Sequence, residues 1–97
     1  MGTFILTQKA RDDLLAIGRY TRKEWGKAQQ IRYLTQLDRA FHDLADKPAL
    51  GRACDDIRVG YFKYGVGKHV IFYRHIEKDR IEIVRILHGR MDIEQHL

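Results

Sequence analysis

The second half of the chain collects the side chains whose types could support acid–base or phosphate chemistry. An imidazole exchanges a proton near neutral pH, and lysine or arginine can hold the negative charge of a phosphoryl group. The candidates are Lys63, Arg74, Arg85, His88, Arg90 and His96. His88 lies beside Arg90 where the last predicted strand ends, whereas His96 is next to the last residue. The stretch from His88 to Asp92 is therefore the main candidate for a functional surface.

Metal, nucleotide and thiol chemistry find no comparable support in the sequence. The single cysteine, Cys54, cannot form an internal disulfide, and the neighbouring Asp55 and Asp56 disfavour its thiolate. The histidines are not spaced as metal ligands. Gly65 and Gly67 fall in a predicted hairpin turn, whereas a phosphate-binding loop needs a helix after it. We therefore expect no cofactor, no metal and no chemical role for Cys54.

Length and composition indicate one small basic domain. The chain has 97 residues, 44% of them hydrophobic, so residues 1–97 are predicted to form a single domain with one core. The formal net charge of +5 is spread along the chain and favours an acidic partner, either a nucleic acid or a protein. The segment from Met1 to Leu6 is too short for the apolar region of a signal sequence, and no apolar run reaches the length of a membrane span. The expected location is the cytoplasm.

Hydrophobic periodicity predicts a strand and two helices in the first half of the chain. Thr3 to Thr7 alternates as a short strand, and Thr7 is a suitable N-cap for a helix from Gln8 to Trp25 that stops at Gly26. The inward stripe of this helix consists of Ala10, Leu14, Ile17 and Thr21. The second helix ends before Pro48, and its inward stripe consists of Ile31, Leu34, Leu37, Phe41 and Leu44. A link of one or two residues predicts an antiparallel helical hairpin.

Three β-rich runs fill the second half of the chain. They are Ile57 to Tyr64, Lys68 to Ile76 and Arg80 to His88. Their short links predict antiparallel hairpins. The order is β-α-α-β-β-β, which predicts an α+β fold with the N-terminal strand and the helical hairpin packed on one face of a small antiparallel sheet.

Both faces of this sheet are rich in apolar residues, although two helices can cover one face only. In the middle strand, His69, Ile71, Tyr73 and His75 alternate with Val70, Phe72, Arg74 and Ile76. In the last strand, Ile81, Ile83, Arg85 and Leu87 alternate with Glu82, Val84, Ile86 and His88. An exposed apolar patch, which often marks a binding site, is therefore predicted on the uncovered face. The alternative is that the C-terminal tail folds over it.

The order and spacing of several short motifs resemble one known family over nearly the full length of the chain. The motifs are Leu6-Thr7, Ala10, Asp13-Leu14, Trp25-Gly26, Pro48, Gly51, Asp56-Ile57-Arg58-Val59-Gly60, His69-Val70-Ile71-Phe72-Tyr73-Arg74, and Ile86-Leu87-His88-Gly89-Arg90-Met91-Asp92. They resemble the ParE toxins of the RelE/ParE superfamily, which belong to bacterial type II toxin–antitoxin modules. The fold of that family agrees with the predicted element order. The resemblance also favours His69, Ile71 and Tyr73 as the face toward the helices.

The resemblance implies a toxin that inhibits DNA gyrase and is neutralised by a cognate antitoxin. That antitoxin would be of the ParD type, a ribbon-helix-helix protein whose extended C-terminal part wraps around the toxin. An apolar sheet face and a free sheet edge would suit such a segment. The candidate antitoxin-binding residues are Val70, Phe72, Arg74, Val84 and Ile86. The candidate gyrase-binding residues are Arg85, His88, Arg90 and Met91.

The main alternative is an enzyme, because RelE-like relatives cut messenger RNA on the ribosome. In an approximate register with those nucleases, Val70 and Tyr61 stand where they carry basic residues, and His96 stands in the region of their terminal tyrosine. Lys63 and Arg90 would remain. Since loss of a cation from a phosphoryl-transfer site costs several kcal/mol of transition-state stabilisation, gyrase inhibition is the favoured interpretation and no catalytic residue is predicted.

A nucleic-acid-binding module is a third possibility, suggested by the positive charge and the aromatic residues of the sheet. The sequence lacks the paired aromatic motif of RNA-binding sheets and has no recognition-helix signature. Direct nucleic-acid binding is therefore not expected.

Overall fold

The fold is the predicted α+β arrangement. A computed structural model describes residues 2–89 and 93–97. Its elements are β1 (Thr3–Leu6), α1 (Gln8–Trp25), α2 (Lys27–Asp46), a short 3-10 turn (Pro48–Leu50), β2 (Arg52–Ala53), β3 (Tyr61–Val66), β4 (His69–Glu77), β5 (Arg80–His88) and α3 (Ile93–His96). The predicted order is confirmed, with β2 and α3 as additional short elements.

The sheet is mixed, which corrects the expectation of a purely antiparallel one. Its strand order is β1-β5-β4-β3-β2, and β1 lies parallel to β5 with Thr3 opposite Arg80 and Leu6 opposite Ile83. The other neighbouring pairs are antiparallel. The two long helices carry the chain from β1 across to the rest of the sheet, and this long connection is what a parallel neighbour requires.

The third strand begins later than predicted. Residues 57–60 form a turn, in which the N–H groups of Ile57 and Arg58 both donate to the Cys54 carbonyl. The Asp55 carboxylate accepts from the Gly60 N–H at 2.9 Å, and Gly60 has a φ of 83°. Side-chain capping by aspartate and a left-handed glycine are turn features that outweigh the β-branched residues of this segment.

The two long helices form the predicted antiparallel hairpin. Thr7 Oγ1 accepts from the Ala10 N–H at 3.0 Å, which confirms Thr7 as the N-cap of α1. Gly26, at a φ of 90°, is the one residue between α1 and α2. The prediction that Ile31 faces inward is wrong, because this residue lies about 120° around α2 from the buried Leu37 and is 55% exposed.

The main core lies between the helices and one face of the sheet. Ile71 and Tyr73 of β4 are fully buried there, as the resemblance implied, together with Ile81 and Ile83 of β5. The Tyr73 hydroxyl donates to the Pro48 carbonyl and accepts from the Gly51 N–H, so this buried phenol is satisfied. It thereby fixes the segment between α2 and β2.

The opposite face of the sheet is covered as well, so the predicted exposed apolar patch is wrong. Phe72 and Leu87 are buried there with Cys54. The turn after β2 contributes Ile57, and the C-terminal Leu97 packs on the same cluster. The alternative expectation of a covering C-terminal tail is thus partly confirmed, and the turn after β2 supplies the remaining cover.

A register shift in β5 explains why its pattern did not alternate cleanly. Phe72 lies opposite Arg85, whereas the next residue of β4, Tyr73, lies opposite Ile83. The extra residue, Val84, is a bulge. Ile83 and Ile86 consequently both belong to the main core, although they are three residues apart. This corrects the sequence-based grouping of Ile86 with Glu82 and Val84.

Thr7 connects the end of β1, the start of α1 and the bulge of β5, and its replacement should destabilise all three. Besides capping α1, its hydroxyl donates to the Val84 carbonyl at 2.7 Å. We expect Thr7→Val to lower the free energy of unfolding by about 1–2 kcal/mol because both bonds are lost. Thr7→Ser, which keeps the hydroxyl, should lose less than half of that. Urea denaturation of both variants measures the difference, and equal losses would contradict this role.

Candidate functional site

Four of the predicted functional residues lie on β4 and β5, on the face of the sheet away from the long helices: Val70, Phe72, Arg74 and Arg85. We call this face, which the long helices do not cover, the open face. One row of residues runs straight across it from β2 to β5 and consists of Arg52, Lys63, Phe72 and Arg85. A second row consists of Tyr61, Arg74 and Glu82. Cationic side chains therefore surround the buried Phe72.

Arg85 forms a paired ionic contact with Asp13 of α1. Its Nε donates to one carboxylate oxygen at 2.8 Å and its Nη2 to the other at 2.9 Å. Both side chains are only 15% exposed. Two parallel charge-assisted bonds fix the guanidinium in orientation, and the bond to Asp13 raises the pKa of Arg85.

The same carboxylate also serves the backbone of β5. Asp13 Oδ2 accepts from the Ile86 N–H at 2.9 Å. Since β1 pairs with β5 only as far as Ile83, α1 follows the edge of β5 beyond that point, and the side chains of Thr7 and Asp13 provide its hydrogen bonds. In the sequence, Asp13 is part of a family motif, but its role could not be predicted because its partners lie more than 70 residues away.

Arg85 further holds the C-terminal helix. Its Nη1 donates to the His96 carbonyl at 3.0 Å. The guanidinium therefore connects α1, β5 and α3. The sequence predicted Arg85 as a cation projecting toward a target, whereas the structure places it in an internal ion pair, where most of its donors are already used.

His88 belongs to a cluster of rings at the end of β5. Its ring lies edge-on to that of His69, with centroids 5.5 Å apart. Nδ1 of His69 is in turn 2.6 Å from the Tyr33 hydroxyl of α2. Burial lowers the pKa of His69, and the nearby His88 lowers it further. The predicted neighbours Arg90 and Met91 lie outside the described residues.

The predicted antitoxin-binding residues differ in accessibility. Phe72 is fully buried and Ile86 is 2% exposed, which corrects the expectation that both lie on an exposed face. Ile86 faces the helices because of the bulge at Val84. Val70 and Val84 are half-buried, while Arg74 is exposed and pairs with Glu82 at 2.8 Å.

Among the residues that the structure describes, the candidates for RNA cleavage do not converge on a free phosphate site. Arg74 and Arg85 are paired with carboxylates, and the His96 backbone is held by Arg85. Lys63 is half-buried and lies directly opposite the exposed Arg52. Within the described residues, no three His, Cys, Asp or Glu side chains come together as a metal site.

Cys54 is buried on the open face beneath the turn that follows β2. Burial raises the pKa of its thiol, with smaller contributions in the same direction from Asp56 and Asp55. The thiolate is thus disfavoured in the folded chain.

The family of the chain follows from comparison with known proteins. Residues 4–93 match the model of the ParE toxin of type II toxin–antitoxin system, parDE. The chain belongs to the ParE toxin family. Toxin ParE1 of Mycobacterium tuberculosis is 40% identical over 94 residues, which cover 97% of this chain and 96% of the relative. Toxin ParE1 of Caulobacter vibrioides is 34% identical over 97 residues, covering 100% and 99% of the two chains.

A solved structure supports the fold of this ParE toxin. The structure described as the chromosomal ParDE TA system from P. aeruginosa superposes with a TM-score of 0.75, covering 91% of this chain and 95% of the other. The sequences are 19% identical, so this likeness concerns the fold. In the described part of the toxin, no helix has the length and apolarity needed to cross a bilayer.

Replacement of Asp13 should destabilise this ParE toxin more than replacement of an exposed carboxylate of α1. We expect Asp13→Asn to lower the free energy of unfolding by about 2–3 kcal/mol, because it leaves the Arg85 charge half-buried without a carboxylate. Asp12→Asn is the matched control, since Asp12 is exposed and contacts only Gln8 within the described hydrogen bonds. It should cost less than about 0.5 kcal/mol. Equal losses in urea denaturation would remove the special role of Asp13.

The ring cluster should make the toxin less stable in mild acid. Because the pKa of His69 lies below its ordinary value of 6.5 in the folded chain, the unfolded chain takes up the proton first as pH falls. Stability is therefore lost as pH drops below about 6.5 and fully retained above it. The loss per pH unit cannot exceed about 1.4 kcal/mol for one group.

The contribution of His69 can be separated from that of other histidines. We expect His69→Gln to flatten the decline in the urea midpoint between neutral and mildly acidic pH. His75→Gln, at an exposed position of the same strand, should leave the decline as in the parent chain. A His69→Gln profile parallel to that of the parent would show that another group is responsible.

Proposed function

We propose that this ParE-type toxin inhibits DNA gyrase, as a single domain spanning residues 1–97, in the cytoplasm. The observation that carries the proposal is family membership across nearly the whole chain. The proposed mode of action is binding, with no catalytic residue and no cofactor. Neutralisation is by a cognate antitoxin of the ParD type, as the type II module of the family implies.

The proposed gyrase-contacting segment begins at the last residue of β5 and continues beyond that strand. Its members are His88, Arg90 and Met91, with Arg85 as the residue that positions them. The bonds from Arg85 to Asp13 and to the His96 carbonyl support this assignment, because they fix the strand on one side of the segment and the helix on the other. A binding segment held at both ends loses less conformational entropy when it contacts a target.

The proposed antitoxin surface is the open face and its edge. Val70 and Arg74 retain exposed surface there and Phe72 supports them from within, Val84 is the half-buried bulge residue beside them, and Ile86 faces the helices instead. Leu97 and the turn after β2 lie over the same face, so an antitoxin segment would extend this cover instead of creating it.

RNA cleavage is the competing function, and the charge pairing of the open face argues against it. A phosphorane needs cations that are free to approach it. The two strand arginines that could serve are paired with Glu82 and Asp13. Val70 and Tyr61 occupy positions where RelE-like nucleases carry basic residues, as the sequence register implies.

Two assays run side by side test the proposed function. Purified toxin should block supercoiling by DNA gyrase and promote DNA cleavage by it. The same preparation should leave messenger RNA intact on translating ribosomes. Ribosome-dependent RNA cleavage without any effect on gyrase would overturn the proposal. Binding to bare DNA or RNA without gyrase or ribosomes would instead indicate a nucleic-acid-binding module.

A double substitution tests the assigned segment. We expect Arg90→Ala with Met91→Ala to reduce gyrase inhibition by at least about tenfold, which corresponds to a loss of roughly 1.4 kcal/mol of binding. Arg32→Ala with Arg39→Ala removes exposed charge from α2 and should have little effect. Both variants must still fold and bind the antitoxin. Undiminished inhibition by the first variant would remove this assignment.

A further inference from the structure

The outer end of the open face carries two cations placed directly against each other. Arg52 of β2 and Lys63 of β3 are cross-strand partners, and they share the face that carries Phe72. Like charges opposite each other in a sheet are destabilising. In the described part of the chain, neither residue forms an ion pair. We call these two residues the basic edge.

The rest of the open face shows the contrary arrangement. Arg74 has Glu82 as its partner and Arg85 has Asp13. Arg58 lies over the Tyr61 ring, with its guanidinium carbon 5.6 Å from the ring centroid. The fold therefore places partners beside the other cations of this face but sets two positive charges against each other at its rim. A local arrangement that opposes stability is expected where a partner supplies the compensation.

The backbone beside the basic edge is also incompletely paired. β2 covers Phe62 and Lys63, whereas β3 continues to Val66. Within the described residues, no strand pairs with the outer side of β3 beyond Lys63. An extended segment can reach this side and add its own hydrogen bonds to the sheet.

The aromatic residues of this face favour a peptide over a nucleic acid as the occupant. Stacking on exposed rings is a main source of affinity for single-stranded nucleic acids. Phe72 is fully buried and the Tyr61 ring is covered by Arg58. By contrast, apolar side chains are exposed nearby in the chain, at Leu50 before β2 and at Val59 before β3. Such surroundings suit a segment that combines carboxylates with apolar residues.

We infer that the basic edge binds an acidic, extended segment of the cognate antitoxin, whose carboxylates lie between Arg52 and Lys63. This inference rests on the proposed function, since it names the chemistry by which the antitoxin is captured. The carboxylates relieve the repulsion between the two cations and add charge-assisted hydrogen bonds. The contribution is electrostatic and lies at a rim, so it acts mainly on association rate and salt dependence.

A charge reversal at the basic edge tests the inference. The probe is the antitoxin encoded with this toxin, titrated against the full chain at low and at high salt. We expect Arg52→Glu with Lys63→Glu to weaken binding at low salt by about tenfold or more and to flatten its salt dependence. Arg32→Glu with Arg39→Glu makes the same change in net charge on exposed positions of α2 and should change affinity about threefold or less.

A compensating change in the partner makes the test specific. Replacing the acidic residues in the C-terminal segment of the antitoxin by lysine should weaken its binding to the parent toxin and restore binding to the reversed variant. Circular dichroism and the urea midpoint check folding of each toxin variant. If the reversed variant does not fold, the neutral variant Arg52→Gln with Lys63→Gln replaces it in the binding experiment. The salt dependence of its antitoxin binding should be weaker than that of the parent toxin.

The possible failures are distinguishable. If the reversed variant binds the antitoxin as tightly as the α2 control does, at both salt concentrations, the basic edge is not a site for an acidic segment. If it keeps antitoxin binding but loses binding to a DNA or RNA oligonucleotide, the surface serves a nucleic acid and the inference is overturned. If the parent toxin does not bind the antitoxin at all, the proposed function itself has failed.

Discussion

The hydrogen bonds of the Asp13 carboxylate to β5 are the interaction that joins the two halves of this toxin. β1 pairs with β5 over four residues and is followed by α1, so the remainder of β5 has no strand partner on that side among the described residues. Asp13 meets this need by accepting from the Ile86 N–H, and it binds the Arg85 guanidinium with both oxygens. The helix α1 thereby continues the hydrogen bonding of this edge of β5 through the side chain of Asp13.

The position of β5 determines the two surfaces that we propose as binding sites. Because Arg85 also binds the His96 carbonyl, the same ion pair locates α3 on the open face. Leu97 and the turn after β2 then enclose Phe72 and Leu87, so that the open face has a small core of its own. The exposed part of the open face is consequently its charged rim, because the apolar centre that alternation predicts to be exposed is buried.

Sequence reasoning succeeded where a signal lies within a few neighbouring residues. The bounds of α1 follow from the Thr7 cap and from Gly26, and its stripe through Ala10 and Ile17 follows from helical periodicity. Sequence reasoning failed where contacts between residues distant in sequence determine the local structure.

The Asp13–Arg85 pair joins positions 72 residues apart, and no pattern in the sequence near either residue predicts its partner. The bulge at Val84 reverses the face of Ile86, which a strict period of two assigned wrongly. The burial of Phe72 depends on a capped turn at Asp55 that the β-branched residues concealed.

The parallel pairing of β1 with β5 has a consequence for how the molecule comes into being. Thr3 lies opposite Arg80, so the first strand finds its neighbour only after the chain has been made beyond Arg80. Contacts so distant in sequence form late, since the intervening chain must be ordered before they are made. During synthesis the sheet therefore stays open until β5 has left the ribosome. The toxin cannot adopt its final shape before the whole of β5 has been translated.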